Sequence, residues 1–336
     1  MEGISSKPEE ILRKLKTCSR VAMTLHKSPD GDSLGASTAM KYFLEKELKC
    51  KVDLVSGDNL SEELASLSLT REVNFGKDLT DLDLEKYDAV ICVDIAREHM
   101  LSSKHSDFEF PENVFVINID HHDTNAYYGD MNYVDSDSPS SCSVLTDMFQ
   151  KWEVKFDKEL ATRLLLGICT DTKFFQIENH ILHAFEHAVF LIKNEADYFD
   201  SIVHPILYMI PLRIRRFEQL VMKNFKMDEE KKFGWSTIRF DEWNALKLDI
   251  EDLRLSTHVI ETVKDVDFVC TLIEIEENKI KGSFRGNKGV NVVRYAEELG
   301  GGGHKFAAAF VLEDTTMPDA EAMVLEVIEK LSVKRE

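Results

Sequence analysis

Residues 21–36 read VAMTLHKSPDGDSLGA, and their reading decides the fold. Val21–Leu25 has the length and apolar character of a buried strand. A loop stiffened by Pro29 and turned by Gly31 follows, and a helix is expected from about Leu34 to Leu48. The alternation then repeats. Lys51–Val55, Tyr87–Val93 and Val114–Ile119 read as strands, the last two rich in β-branched residues, and Glu159–Cys169 and Ile181–Lys193 read as helices. Strand-like and helix-like periods in turn are the mark of an α/β domain built on a parallel sheet.

The pattern changes near residue 196. Ala196–Ile210 ends at Pro211, and a charged helix, LRIRRFEQLVMKNF, follows. Strands are expected again at Gly234–Phe240, Asp267–Ile275, Lys279–Arg285 and Ala307–Leu312, with helices at about Val290–Leu299 and Pro318–Leu331. The expected organisation is a parallel-sheet domain over 1–195, a helical connector over 196–228 and a smaller α/β substrate-binding domain over 229–336.

Polar residues collect at the ends of the expected strands. Val21–Leu25 runs into His26, Asp30 and Asp32; Tyr87–Val93 runs into Asp94; Val114–Ile119 runs into Asp120, His121 and His122. The helix Glu159–Cys169 runs into Asp171. Ligands of open α/β sheets bind at the carboxyl ends of the strands, near a topological switch point. A single aspartate after a strand reads as a turn or helix cap. Four such ends in order point instead to one site. Burying so many charges without a cation costs several kcal/mol apiece, on the order expected for unpaired ions, and a metal cluster resolves that cost. Imidazoles and carboxylates without thiolates suit manganese, with iron, cobalt, zinc or magnesium as alternatives. Two such ions about 3.5–4 Å apart would polarise a phosphoryl oxygen for in-line attack on phosphorus.

Composition narrows the partners. The chain has 336 residues, 43% of them hydrophobic, and a net charge of −20. That balance suits a globular protein and disfavours one that wraps a long duplex, which needs a broad basic surface. Short single-stranded oligonucleotides or small nucleotides are the expected partners. No apolar run reaches bilayer length, so no membrane association and a cytoplasmic location are expected. The six scattered cysteines form no CxxC pair, which argues against a disulfide framework and a thiolate zinc site. The oligomeric state stays open, a homodimer included.

HKSPDGDSLGA (26–36), VDIA (93–96), IDHH (119–122) and GICTDT (167–172) resemble the four motifs of the DHH phosphoesterases. GSFRGNKGVNVVRYAEELGGGGHKFAAAF (282–310) resembles their DHHA-type C-terminal domain, and the length and order are similar to the nano-RNase and pAp-phosphatase branch. The resemblance implies two divalent metal ions, most simply manganese. His26, Asp30 and Asp94 would hold one; Asp32, Asp94, His121 and Asp171 would hold the other, with Asp94 bridging. Asp120 would orient a ligand histidine. His122 would face the scissile phosphate, as a hydrogen-bond donor or as a proton source. Arg285 and His304 match positions that hold the substrate's terminal phosphate or base. The run Gly300–Gly303 lets backbone approach closely, and Gly301, Gly302 and Gly303 would offer N–H groups as an anion nest, a simple turn being the other reading. Asn287 and Lys288 are further candidates. Two departures bear on substrate choice: Val144 stands where relatives often carry glutamate, and Lys173 where many have glycine.

Other features invite plainer readings. Arg213, Arg215 and Arg216 read as a solvated helix face, and Trp235 and Trp243 as packing residues. His180, His183 and His187 fall at helical spacing, but no carboxylate cluster accompanies them in the sequence, so a structural role is expected. The leading function is hydrolysis of very short oligonucleotides, extended to the phosphate of pAp-like nucleotides. A cleft between metals and phosphate anchor would favour substrates of a few nucleotides. Cleavage of a cyclic or linear dinucleotide uses the same parts and is the alternative. Inorganic pyrophosphatase ranks lower because it would need a lysine- and arginine-rich C-terminal phosphate site in place of SFRGN and GGGGH, and a non-catalytic nucleotide-binding protein ranks lower because no metal ligand is missing.

Overall fold

The computed structural model describes residues 6–332 except 103, 106–107, 178–179, 249, 251 and 288, so Lys288 lies outside the described residues. The chain divides into two compact units, Met1–Met209 and Ile210–Glu336.

The first unit is built on six parallel strands: β1 (Arg20–Thr24), β2 (Lys51–Ser56), β3 (Asn74–Phe75), β4 (Ala89–Val93), β5 (Val116–Asp120) and β6 (Met131–Val134). Their order is β3-β2-β1-β4-β5-β6. This is the doubly wound arrangement, whose direction of travel reverses between β1 and β4. Every residue of β4 and β5 is buried, as expected of strands covered on both faces. Along β4, Ala89, Ile91 and Val93 face one core cluster while Val90 and Cys92 face the other. The helices are α1 (Pro8–Leu15), α2 (Gly31–Lys46), the single turn α3 (Glu62–Ala65), α4 (Ser141–Lys151), α5 (Lys158–Asp171) and α6 (Ile181–Lys193).

Helices α2 and α5 meet at small residues. A Cβ on Gly35 would lie 2.6 Å from the Arg163 carbonyl oxygen, so only glycine permits this approach. Asp157 caps α5 by accepting the Leu160 N–H at 3.0 Å, and Asp30 caps α2 by accepting those of Asp32 and Ser33. The two caps fix where α2 and α5 begin, and the close contact sets how they pack.

The second unit carries a mixed sheet of β7 (Phe225–Asp228), β8 (Phe233–Ile238), β9 (Phe268–Glu276), β10 (Lys279–Gly286), β11 (Gly302–His304) and β12 (Ala307–Leu312), ordered β11-β12-β10-β9-β8-β7. Its helices are α7 (Leu212–Lys223), α8 (Phe240–Asn244), α9 (Ser256–Glu261), α10 (Val293–Glu298) and α11 (Met317–Ser332). Period-two alternation along β9 sends Phe268, Cys270 and Leu272 to one core and Val269 and Ile273 to the other. Phe268 stacks on Tyr295 with ring centroids 5.0 Å apart.

Residues 196–228 are shared between the units. Ile202 and Val203, in a wide helical turn over Phe199–Tyr208, are buried in the first; Ile214, Phe217 and Val221 of α7 are buried in the second. Among the described residues no helix is long and apolar enough to cross a membrane.

Candidate metal centre

The carboxyl ends of β1, β4 and β5 open at the switch point of the first sheet, and the functional side chains sit there. His26 follows β1 by two residues. Asp94 follows β4 directly, with φ of 64°, a left-handed conformation that aspartate tolerates better than most residues. Asp120 ends β5, and His121 and His122 come next. Asp30 and Asp32 stand at the start of α2, and Asp171 is the last residue of α5.

The structure brings six of these residues together. Donor atoms of His26, Asp30 and Asp94 lie within 4.8 Å of one another, as do those of Asp32, His121 and Asp171. Individual approaches are 3.5 Å from His26 Nε2 to Asp30 Oδ1, 3.6 Å from His26 Nε2 to Asp94 Oδ2, 3.7 Å from His121 Nε2 to Asp94 Oδ1 and 3.4 Å from His121 Nε2 to Asp171 Oδ2. Asp94 therefore faces both groups. Asp30 shows that cap and candidate ligand are not exclusive, since its Oδ1 serves the helix and also faces His26.

The ring orientations aim both Nε2 atoms into the cluster. His26 Nδ1 is 2.8 Å from the Lys27 carbonyl and His121 Nδ1 is 3.3 Å from that of Ser138. A carbonyl only accepts, so both Nδ1 atoms carry hydrogen and both Nε2 atoms face carboxylate oxygens. Nε2 can meet those oxygens as part of an imidazolium, the form that Asp30 favours on His26 against burial, or as a neutral ring sharing a cation with them. Asp94 and Asp32 are 2% and 1% exposed. Burial and then the charges of Asp32 and Asp30 push Asp94 well above the usual carboxylate range, and burial with Asp32 and Asp30 raises Asp171 to about 8. The donor set fits divalent cations.

Several supporting groups leave no sequence signal of their own. Backbone N–H groups of Ser141 and Cys142, at the start of α4, donate to Asp32 Oδ2 and Oδ1 at 2.7 and 3.0 Å, and Ser141 Oγ lies 2.9 Å from Asp94 Oδ1. A Cβ on Gly167 would fall 2.3 Å from Asp32 Oδ1, so glycine there makes room for the carboxylate. Asn125 donates to Asp120 Oδ2 at 2.6 Å. The SS that opens α4 after IDHH was the one legible hint.

The histidine that Asp120 orients is His122 and not His121. Asp120 Oδ1 lies 2.8 Å from His122 Nδ1, while the Ser138 carbonyl holds His121. Its hydrogen bond raises the His122 pKa, against burial, and leaves Nε2 as the free end of the ring.

In the second unit, Lys281, Ser283 and Arg285 alternate along β10 onto one face and line a pocket with Ile250, Leu253 and Ile273. Arg285 donates to the Phe284 carbonyl at 2.9 Å and has no carboxylate partner among the described residues. His304 is exposed at the end of β11. The glycine run is not a simple anion nest. Gly300, with φ of 75°, and Gly301 close α10: their N–H groups donate to the carbonyls of Glu297 and Ala296 at 3.0 and 2.8 Å. Gly302 and Gly303 continue as edge strand β11. Gly301 therefore has no N–H to offer an anion. Asn287 Nδ2 is likewise committed to the Glu261 carbonyl at 2.7 Å, which ties the loop after β10 to α9.

Residues 20–168 match the DHH family N-terminal domain, and residues 254–332 match the DHHA1 domain. The probable bifunctional oligoribonuclease and PAP phosphatase NrnA of Streptococcus mutans is 26% identical over 301 residues, spanning 89% of this chain and 91% of that protein. An exopolyphosphatase-related protein from Bacteroides fragilis superposes with a TM-score of 0.85 at 20% identity, covering 97% of this chain and 96% of that one. RecJ from Thermus thermophilus, solved in complex with Mn2+, superposes with a TM-score of 0.54 at 13% identity, covering 96% of this chain and 54% of RecJ. With its two matched domains in this order and its acidic and imidazole groups at the sheet's switch point, the chain belongs to the DHH family of phosphoesterases.

Proposed function

We propose that this phosphoesterase hydrolyses phosphodiester bonds in very short oligonucleotides and removes the 3′-phosphate of pAp, using two divalent metal ions, manganese by preference. The observation that carries the reading is the pair of imidazole Nε2 atoms, on His26 and His121, aimed at a buried aspartate cluster. The substrate class draws on relatives named as oligoribonuclease and PAP phosphatase that match about nine-tenths of the chain, and the metal on the Mn2+ complex of RecJ.

His26, Asp30 and Asp94 would hold one ion; Asp32, His121 and Asp171, with Asp94 shared, would hold the other. Bound there, divalent ions supply Lewis acidity toward a phosphoryl oxygen and a lowered pKa for attacking water. The chain's own groups do the rest. The Ser141 and Cys142 N–H groups aim Asp32 and favour its carboxylate against the effect of burial. Asp120, steadied by Asn125, keeps hydrogen on His122 Nδ1 and favours the imidazolium. His122 Nε2–H is then available to bond the scissile phosphate or to protonate the leaving oxygen. Arg285 supplies a planar cation for a terminal phosphate, with His304 as a second donor. A net charge of −20 disfavours long polyanions, which supports short substrates.

The test is hydrolysis of 5′-labelled RNA from two to twenty-four nucleotides, with pAp and a cyclic dinucleotide alongside. Fastest loss of the shortest oligomers, together with pAp turnover, is the expected result. A clear preference for the cyclic dinucleotide, or rates that rise with length, would overturn the substrate assignment.

A further inference from the structure

The histidines of α6 meet a carboxylate from another helix. Asp147, on α4, meets them from across the helix pair. His187 Nε2 lies 3.1 Å from Asp147 Oδ1, and His183 Nε2 lies 3.2 Å from Asp147 Oδ2. The expectation of a purely structural role, drawn from the lack of a carboxylate cluster in the sequence, did not include Asp147, which comes from 36 residues before His183, too far for local spacing to reveal. His180 stands outside the group, at the N-terminus of α6 with φ of 54°.

Three features make this a built arrangement. His183 and His187 are one turn apart on one helix face, with ring centroids 4.3 Å apart, the i, i+4 spacing that puts two imidazoles on one ion. The donor atoms of all three residues lie within 4.8 Å of one another. His187 is 5% exposed, and its Nδ1 lies 2.7 Å from Ser143 Oγ, one turn before Asp147 on the same helix. Metal-binding histidines are commonly oriented by such a bond at the other ring nitrogen. A hydrogen-bonded network explains His187 alone. His183 Nε2 faces the second carboxylate oxygen at 3.2 Å without hydrogen-bond geometry. About a third of the His183 and Asp147 side chains is exposed, which leaves a path for an ion and a place for water.

We propose that Asp147, His183 and His187 form a second metal site that takes one zinc-class divalent ion. It shares no ligand with the DHH centre and differs from it in chemistry. Two nitrogens and one carboxylate, with a fourth position open, suit zinc, cobalt or nickel. The ion would staple α4 to α6. Because the first turn of α4 holds Asp32 and Asp94 through Ser141 and Cys142, the staple also braces the DHH centre from behind.

The test is a Co2+ titration of chelator-stripped protein followed by visible absorption, repeated on His183→Ala and Asp147→Asn. The parent is expected to bind one ion more than either variant, with an intense tetrahedral band that both variants lose. Zinc affinity at this site is expected to fall by about 100-fold or more on loss of a ligand. Equal ion counts and equal spectra in parent and His183→Ala would overturn the proposal. Should a variant fail to fold, crystals of the parent grown with zinc decide the matter. Anomalous density among the three side chains at the zinc edge supports the site, and its absence overturns it.

Discussion

The backbone N–H of Ser141 donates to Asp32 Oδ2 over 2.7 Å, joining the start of α4 to a carboxylate 109 residues earlier. With the Cys142 N–H on the other oxygen, the positive end of α4 faces a buried carboxylate. The hydroxyl of the same serine reaches Asp94 Oδ1. Replacing Ser141 by alanine keeps both N–H bonds and removes only the hydroxyl. Metal affinity is expected to fall about 10- to 100-fold, with a stability loss of about 1 kcal/mol. Calorimetric titration with Mn2+ and a denaturant curve on the same sample separate the two effects.

Without metal, the cluster should make the protein less stable as pH rises. Asp171 titrates at about 8 in the fold, against about 3.9 in an unfolded chain. Between those values the folded chain holds a proton that the unfolded chain has lost, so this group's contribution falls steadily over that window. Chelated protein should therefore melt at lower temperature at pH 8 than at pH 5, and added Mn2+ should reduce the difference. Asp94→Asn, which removes one buried charge, should stabilise the chelated protein at pH 8 by roughly 1–3 kcal/mol and weaken its response to metal. A melting temperature that climbs with pH in chelator would contradict this.

His122 depends on Asp120 for its tautomer and its charge. Asp120→Asn keeps the shape of the side chain and removes the charge that favours the imidazolium. Turnover is expected to fall about 10²- to 10⁴-fold, with metal stoichiometry unchanged because neither residue is among the six proposed ligands. The pH–rate profile should lose the limb that belongs to His122. Retained activity with an unaltered profile would remove His122 from the mechanism.

Arg285 is proposed to act on binding. Arg285→Ala should raise KM about 10-fold or more, the scale of a charged hydrogen bond to phosphate, while kcat on saturating substrate changes less. Steady-state kinetics on a dinucleotide and on its analogue without the terminal phosphate test the assignment. The variant's defect should shrink on the analogue.

Much of this was legible because strands announce themselves by composition and ligands follow strands. Val21–Leu25, Tyr87–Val93 and Val114–Ile119 are within two residues of β1, β4 and β5, and the aspartates and histidines after them converge as their order suggested. Short edge strands were not legible. β3 has two residues, and β7 lies where LRIRRFEQLVMKNF continues a helical charge pattern until Phe225 turns to pair with β8. Trp235 and Trp243 are packing residues as expected, each spending its indole N–H inside its own unit, on Glu321 and on the Glu274 carbonyl. The glycine run misled because a helix stop, an edge strand and an anion nest all ask for glycine, and only the hydrogen-bond partners tell them apart. Asp147 shows the same limit in reverse: its role depends on α4 lying beside α6, which no local window contains.

The central claim is that the aspartate and histidine cluster at the sheet's switch point binds divalent metal for phosphoester hydrolysis. The most direct measurement is the rate at which chelator-stripped protein cleaves a 5′-labelled RNA dinucleotide, before and after adding Mn2+, beside Asp94→Ala. Turnover is expected to appear only with metal and to be absent from the variant. Bound metal without turnover, or equal turnover in Asp94→Ala, would contradict that claim.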